Sequence, residues 1–284
     1  MHITREQVEN TIVNNLRTKA GAFLVFSGTL ILVDLYSLRT GWLCLTLLPL
    51  LGALMLAGSL VSRRYGWLIA ASLVSGVGWG SFLALSSIWK FSVFARVGIF
   101  CLFFGLSWYL ITLLTGIPFR HPAWWALIPG GVIGGVGTAF LYSRLSVFDF
   151  IFHISVGLGL GFLVWGLVTG LLGLIIPGAL IISMGPGTAA AWTRPELHNA
   201  LARTGAMLVC YALGWILITL LSRRVTHRFI WWPLIPGGVM AMVGWGLYIA
   251  GNPGNAVAFI GNTGSIGLIL FGVYLLLLRK GIQQ

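Results

Sequence analysis

The chain has 284 residues, 58% of them hydrophobic and 8% charged, with a mean hydropathy of +0.98. About a quarter of the residues in an ordinary soluble domain are charged, so this composition excludes such a domain and describes a protein whose solvent is largely lipid. The net charge of +12 would favour nucleic acid only through a contiguous basic face; the Lys and Arg residues instead lie between apolar runs, where they act as topology signals, and no nucleic-acid partner is expected.

Residues 1–19 mix Ile3, Val8, Ile12, Val13 and Leu16 with charged and amide side chains at helical spacing, which predicts a cytoplasmic amphipathic segment at the membrane surface. Glu6, Gln7, Glu9, Asn10, Asn14 and Asn15 separate the basic start from the first apolar run. A secretory signal would place the apolar region directly after that start, so the first run is expected to be a retained anchor.

A spanning helix needs roughly 20 mostly apolar residues because the hydrocarbon layer is about 30 Å thick. This measure predicts an all-α, polytopic transmembrane bundle with ten helices near 20–38, 41–61, 65–85, 96–116, 123–142, 150–167, 169–187, 202–222, 229–250 and 262–279. The uncharged stretch 150–193 leaves room for two crossings or for one crossing and a re-entrant segment. With two, and a cytoplasmic N-terminus, eleven Lys and Arg fall inside and six outside, as the positive-inside bias requires. With one, the split becomes eight against nine and the bias disappears. Two crossings with both termini in the cytoplasm are therefore expected.

Sliding the chain against itself by 107 residues reveals an internal repeat. Arg96, Gly98, Leu106, Trp108 and the run Leu110 to Leu114 fall on Arg203, Gly205, Leu213, Trp215 and the run Leu217 to Leu221. In the same register Trp124-Trp125 and Leu127-Ile128-Pro129-Gly130-Gly131-Val132 fall on Trp231-Trp232 and Leu234-Ile235-Pro236-Gly237-Gly238-Val239. Two Trp-Trp pairs and two Ile-Pro-Gly-Gly strings in one register exceed what apolar low complexity produces. Four crossings separate the copies, so they are expected to run parallel, unlike the inverted repeats of many transporters. The chain then divides into the segment 1–19, helices 1–3 over 20–95, a first repeat with helices 4–7 over 96–201 and a second with helices 8–10 over 202–284. Ile176-Pro177-Gly178 and, more loosely, Pro49 followed by Gly52 are weaker echoes.

Pro129, Pro177 and Pro236 each fall inside an apolar span, where the missing amide proton and the ring predict a bend that could line a pore or simply improve packing. Gly76 and Gly80, Gly130 and Gly134, Gly131 and Gly135, and Gly157 and Gly161 are spaced by four residues, which places each pair on one helix face suited to close packing. Trp124, Trp125, Trp231 and Trp232 are placed at an interface, where an amphipathic ring is comfortable. Trp108 and Trp215 lie deeper, as packing elements or as a stacking platform for a quinone, pigment or lipid ring.

Asp34 is the one carboxylate within the predicted spans, and at mid-membrane such a charge costs roughly 2.5 to 3.5 kcal/mol on insertion scales. Its place near the end of helix 1, five residues from Arg39, predicts pairing or snorkelling at the outer surface, with a proton or cation site as the alternative. His153 is the one histidine early in a span and the one candidate cofactor ligand among the histidines, but no His, Cys or acidic residues have metal-ligand spacing. Cys44, Cys101 and Cys210 lie apart in apolar runs and read as small buried hydrophobes. No nucleophile and base occur together and no metal site is expected, while the identity of any cofactor stays unknown.

The strings Trp231-Trp232-Pro233-Leu234 and Trp124-Trp125-Ala126-Leu127, each following a Gly-containing apolar helix, resemble the transmembrane modules of the bacterial LiaI/LiaF-like class. The resemblance covers two helical pairs, roughly a third of the chain, with Ala126 where that class often has Pro. It implies a prokaryotic membrane protein without known catalytic residues. The chain departs from the class by joining many such helices without a soluble sensory domain. These observations point to a non-enzymatic membrane protein, a scaffold or accessory subunit that binds lipids or membrane-protein partners. The alternative is a transporter or channel for a small solute, proton or cation, suggested by the Pro-Gly helices and Asp34.

Overall fold

The computed structural model describes residues 21–22, 25–34, 36, 42–86, 90–119, 121–142, 146–192, 199–251, 265–269 and 272–273. The amphipathic segment 1–19 and Arg39, Glu196 and His198 lie outside the described residues. The chain is an all-α polytopic membrane protein. Residues 25–34 are helical (α1) and precede α2 Trp42–Ser62, α3 Tyr65–Leu85, α4 Val93–Phe119, a single 3-10 turn Trp124–Ala126 and α5 Leu127–Leu141. Then come α6 Val147–Thr169, α7 Leu172–Trp192, α8 Ala200–Thr226 and α9 Leu234–Ala250. Helical residues 265–269 fall in the tenth predicted span. Among the described residues seven helical stretches are long and apolar enough to cross a membrane, and α9 is a shorter apolar helix.

Local chemistry sets several boundaries. The stretch 150–193 forms two helices because Gly170 ends α6 in the left-handed region, with φ of 72°, which glycine adopts without a Cβ clash. Ser146 starts α6 by accepting a hydrogen bond from the Phe148 amide at 3.3 Å. Asn199 starts α8 by accepting from the Leu201 amide at 3.0 Å. Each supplies an acceptor to amides that the helix itself leaves unpaired. Arg223 and Arg224 occupy the last turn of α8, where cations offset the negative end of the helix dipole.

The described helices fall into two compact units, residues 1–143 and 144–284. In the first, α2 packs on α3, α3 on α4 and α4 on α5; in the second, α6 packs on α7, α7 on α8 and α8 on α9. Among the described residues only slight contacts join helices that are not neighbours in the chain, such as α6 and α8. Among the described residues, the helices of each unit therefore pack as a row, each against its neighbours in the chain.

The 107-residue register runs through all four helices of each row. Both ends of α3 map onto both ends of α7, and both ends of α4 onto both ends of α8. Internal contacts follow the same register. A methyl group placed on Gly137 would lie 2.9 Å from the Gly98 carbonyl oxygen, and one on Gly244 would lie 2.9 Å from the Gly205 carbonyl oxygen. One on Gly52 of α2 would meet the Ser75 backbone of α3, and one on Gly159 of α6 would meet the equivalent Ile182 of α7. Leu68 and Ile175, equivalent residues of α3 and α7, are both fully buried, as are Ile111 and Ile218 of α4 and α8. In α2 and α3 against α6 and α7 the two sequences nevertheless differ at most positions.

Pro129 and Pro236 do not bend their helices. Each is the third residue of its helix, α5 or α9, where the amide has no intrahelical partner to lose. Pro177 does lie in a helix interior, within α7, together with Pro186, and Pro49 lies within α2.

The hairpin between α4 and α5 is latched by two threonines. Thr112 donates to the Ala123 carbonyl at 3.0 Å, and Thr115 accepts from the Ala123 amide at 2.9 Å while donating to the Ile111 carbonyl at 2.7 Å. All three residues are buried, so both polar groups of Ala123 are satisfied away from water. Thr115→Val should lower stability by about 1–3 kcal/mol, the cost of a buried donor left without an acceptor, whereas Thr115→Ser should retain most of it; thermal unfolding in detergent measures both.

Glycine packing gives a second test with opposite signs. Gly137→Ala would place its methyl 2.8 Å from the Leu102 amide nitrogen and 2.9 Å from the Gly98 carbonyl oxygen, and should destabilise by about 1–3 kcal/mol through overpacking. A methyl on Gly134 meets nothing within 4 Å. Gly134→Ala should therefore leave the melting temperature unchanged or raise it, since alanine is the better helix former.

Candidate functional site

Asp34 is completely buried. Its Oδ2 accepts a hydrogen bond from the backbone N–H of Leu43 at 2.9 Å, and Leu43 is the second residue of α2. The carboxylate thus sits at a helix N-terminus, where unpaired amides and the positive end of the dipole stabilise a negative charge. The pairing with Arg39 expected from the sequence lies outside the described residues; within them the carboxylate serves the helix, because lipid offers no acceptor to the first amides of α2 and Asp34 supplies one.

Trp108 packs edge-to-face on Trp125 with ring centroids 5.8 Å apart, and Trp215 packs on Trp232 at 5.9 Å. The two pairs are equivalent in the repeat and join α4 to the start of α5 and α8 to the start of α9. Trp125, Trp231 and Trp232 are exposed. The indole nitrogens of Trp108 and Trp215 are buried and have no hydrogen-bond partner among the described residues. Below each pair lies a glycine: a methyl on Gly130 would meet the Trp108 Cβ at 3.1 Å, and one on Gly237 the Trp215 Cβ at 2.8 Å. These contacts place the deep tryptophans in helix packing.

His153 lies in α6 with Nδ1 2.7 Å from the Asp149 carbonyl oxygen, one turn earlier, and its ring stands edge-to-face on Phe152 at 5.0 Å. Nδ1 is therefore the protonated donor. No group of three or more His, Cys, Asp or Glu that could hold a metal comes together among the described residues.

Among the described residues, a groove of about 490 Å³ lies between α3 and α4. Ser75, Gly76 and Trp79 of α3 and Phe103, Ser107 and Tyr109 of α4 contribute to its lining. Gly76 lets the helices approach, because any Cβ there would strike the Ser107 side chain. The groove opens toward the surroundings of the helices, with Trp79 45% and Leu106 54% exposed at its rim. Ser107 donates to the Phe104 carbonyl at 2.6 Å. Neither Ser75 nor Tyr109 makes a side-chain hydrogen bond among the described residues, although Ser72 and Ser81 on the same helix donate back to Leu68 and Val77.

None of Asp34, Trp108, Pro129, His153, Pro177, Trp215 and Pro236 lines this groove. Sequence reasoning missed Ser75 and Tyr109. Extending the 107-residue register back to helix 3 would have set them against Ile182 and Ile216, two hydroxyls where the other copy has only hydrocarbon.

The capping role of Asp34 makes a direct prediction. Asp34→Asn should keep the fold, since its amide oxygen still accepts from Leu43. Asp34→Ala should lose about 0.5–2 kcal/mol, the usual cost of removing a cap, and the difference in melting temperature between the variants measures it. Equal melting temperatures would remove the capping role.

No protein-family model matches the chain, no curated protein matches it significantly, and no solved structure does.

Proposed function

We propose that the chain is a non-enzymatic integral membrane protein of the prokaryotic cytoplasmic membrane, with both termini in the cytoplasm, that serves as a scaffold or accessory subunit holding lipids and membrane-protein partners. The observation that carries this reading is the packing of the described helices in chain order within each unit, which leaves apolar side chains on their outer faces for lipid or a partner. Val61 at 86% and Met242 at 79% exposure are examples. The charge split supports the topology, and the resemblance to LiaI/LiaF-like modules supports the prokaryotic setting.

Transport of a proton, cation or small solute is the competing reading. It requires a polar group reached by water from at least one side. The carboxylate expected to serve that purpose is fully buried and bonded to the start of α2, which favours the structural role. In liposomes, the purified protein should give no proton or cation flux above protein-free vesicles, and Asp34→Asn should behave as wild type. Robust flux abolished by Asp34→Asn, with assembly unchanged, would decide for transport. Accessibility of single cysteines at the two termini tests the topology, and labelling from the periplasmic side alone would reject it.

A further inference from the structure

We infer that the groove between α3 and α4 binds a lipid-soluble ring compound bearing carbonyl groups, of the isoprenoid quinone class, with the hydroxyls of Ser75 and Tyr109 as its hydrogen-bond donors. This deepens the lipid-holding function proposed above and rests on it. Three observations carry it.

The first is the state of the two hydroxyls. Ser75 is 6% exposed and lines the groove, yet makes no side-chain hydrogen bond among the described residues. Tyr109 lines the same groove and is likewise without one. Lipid cannot satisfy these groups, and a serine in a helix can ordinarily bond a carbonyl in the preceding turn, as Ser72 and Ser81 do here.

The second is the comparison between the rows. Ile182 packs against Gly159 as Ser75 packs against Gly52, so isoleucine fills that position without loss of the close helix contact. Tyr109 corresponds to Ile216. Packing therefore does not require either hydroxyl, and both residues contribute to the lining of one groove, the Tyr109 ring also reaching Gly130 of α5.

The third is depth and shape. Ser75 is the eleventh of the 21 residues of α3, about 15 Å from either end at 1.5 Å per residue, and hence near the middle of the hydrocarbon layer. Phospholipid headgroups and ester carbonyls belong to the interfacial region and cannot reach these donors. A prenylated ring can lie at this depth. The groove supplies Trp79 and Phe103 for stacking on a flat ring, offset or edge-on as aromatic contacts prefer. Its volume of about 490 Å³ lies within the roughly 300–1,000 Å³ usual for small-molecule sites, and its open side lets a prenyl tail continue into lipid.

The test is binding of decylubiquinone to the full chain in phosphatidylcholine nanodiscs, followed by quenching of tryptophan fluorescence, together with native mass spectrometry of the protein as extracted from its own membrane. Wild type should show saturable quenching at one equivalent. Ser75→Ile and Tyr109→Phe should each raise Kd by about tenfold, as loss of one hydrogen bond implies. Ile182→Ser in the other row should leave Kd unchanged, and melting temperatures close to wild type confirm that the variants fold. Non-saturable quenching equal in all variants would mean partition into the bilayer and would overturn the assignment. Retained phospholipid with no saturable quinone binding would overturn the quinone class while leaving the lipid-holding function in place; failure to retain any lipid or protein partner would remove both.

Discussion

Helices surrounded by lipid gain little by hiding apolar side chains from one another, because the lipid tails are equally apolar. What remains to hold them is close contact of their backbones, and most of this architecture follows from that constraint. Gly98 with Gly137, and Gly205 with Gly244, let α4 approach α5 and α8 approach α9 so closely that a single methyl group would strike a carbonyl oxygen. The same need explains the weak sequence agreement elsewhere. Residues at the contacts are restricted to small or matched shapes, whereas residues facing lipid need only be apolar.

One contact of the repeat keeps its geometry although the residues that make it differ. In the first row Gly76 of α3 faces Ser107 of α4, and in the second Ser183 of α7 faces Gly214 of α8. The register pairs Gly76 with Ser183 and Ser107 with Gly214, so the glycine and the serine have exchanged sides. One small side chain fits between the helices and two would not. The serine hydroxyl is satisfied within its own helix in both cases, by the Phe104 carbonyl at 2.6 Å and the Leu180 carbonyl at 2.8 Å. The quantity preserved is the space between two backbones and not the residue at either position.

The same physics explains what could be read from the sequence. Span length is fixed by bilayer thickness, so the third predicted helix, 65–85, coincides with α3 Tyr65–Leu85, and two helices occupy the uncharged stretch 150–193. The repeat was legible where it keeps large, distinctive residues such as the paired tryptophans. It was illegible in α2 and α3 against α6 and α7, where it is carried by glycines lost among other apolar residues. Helix interiors were harder still. Pro129 and Pro236 fall mid-span when the span is counted from the tryptophans, but the helices begin only at Leu127 and Leu234, after a turn that sequence hydropathy does not register. The hydroxyls of Ser75 and Tyr109 were invisible for a related reason: hydropathy averages over a helix, and a binding groove depends on which few atoms remain unpaired.

Asp34 and the groove illustrate two distinct reasons for placing a polar atom in an apolar chain. At the start of α2 the backbone creates a demand, since its first amides have no carbonyl ahead of them, and a carboxylate nine residues upstream meets it at 2.9 Å. The polar group and its partner lie within the same chain, so a structural role accounts for its position. In the middle of α3 the backbone makes no such demand, because each amide there already bonds a carbonyl one turn back. A hydroxyl at Ser75 therefore answers nothing in the helix, and the isoleucine at the matching position of α7 shows that the packing does not call for it either. The distinction separates a polar residue that completes the fold from one whose partner must come from outside it.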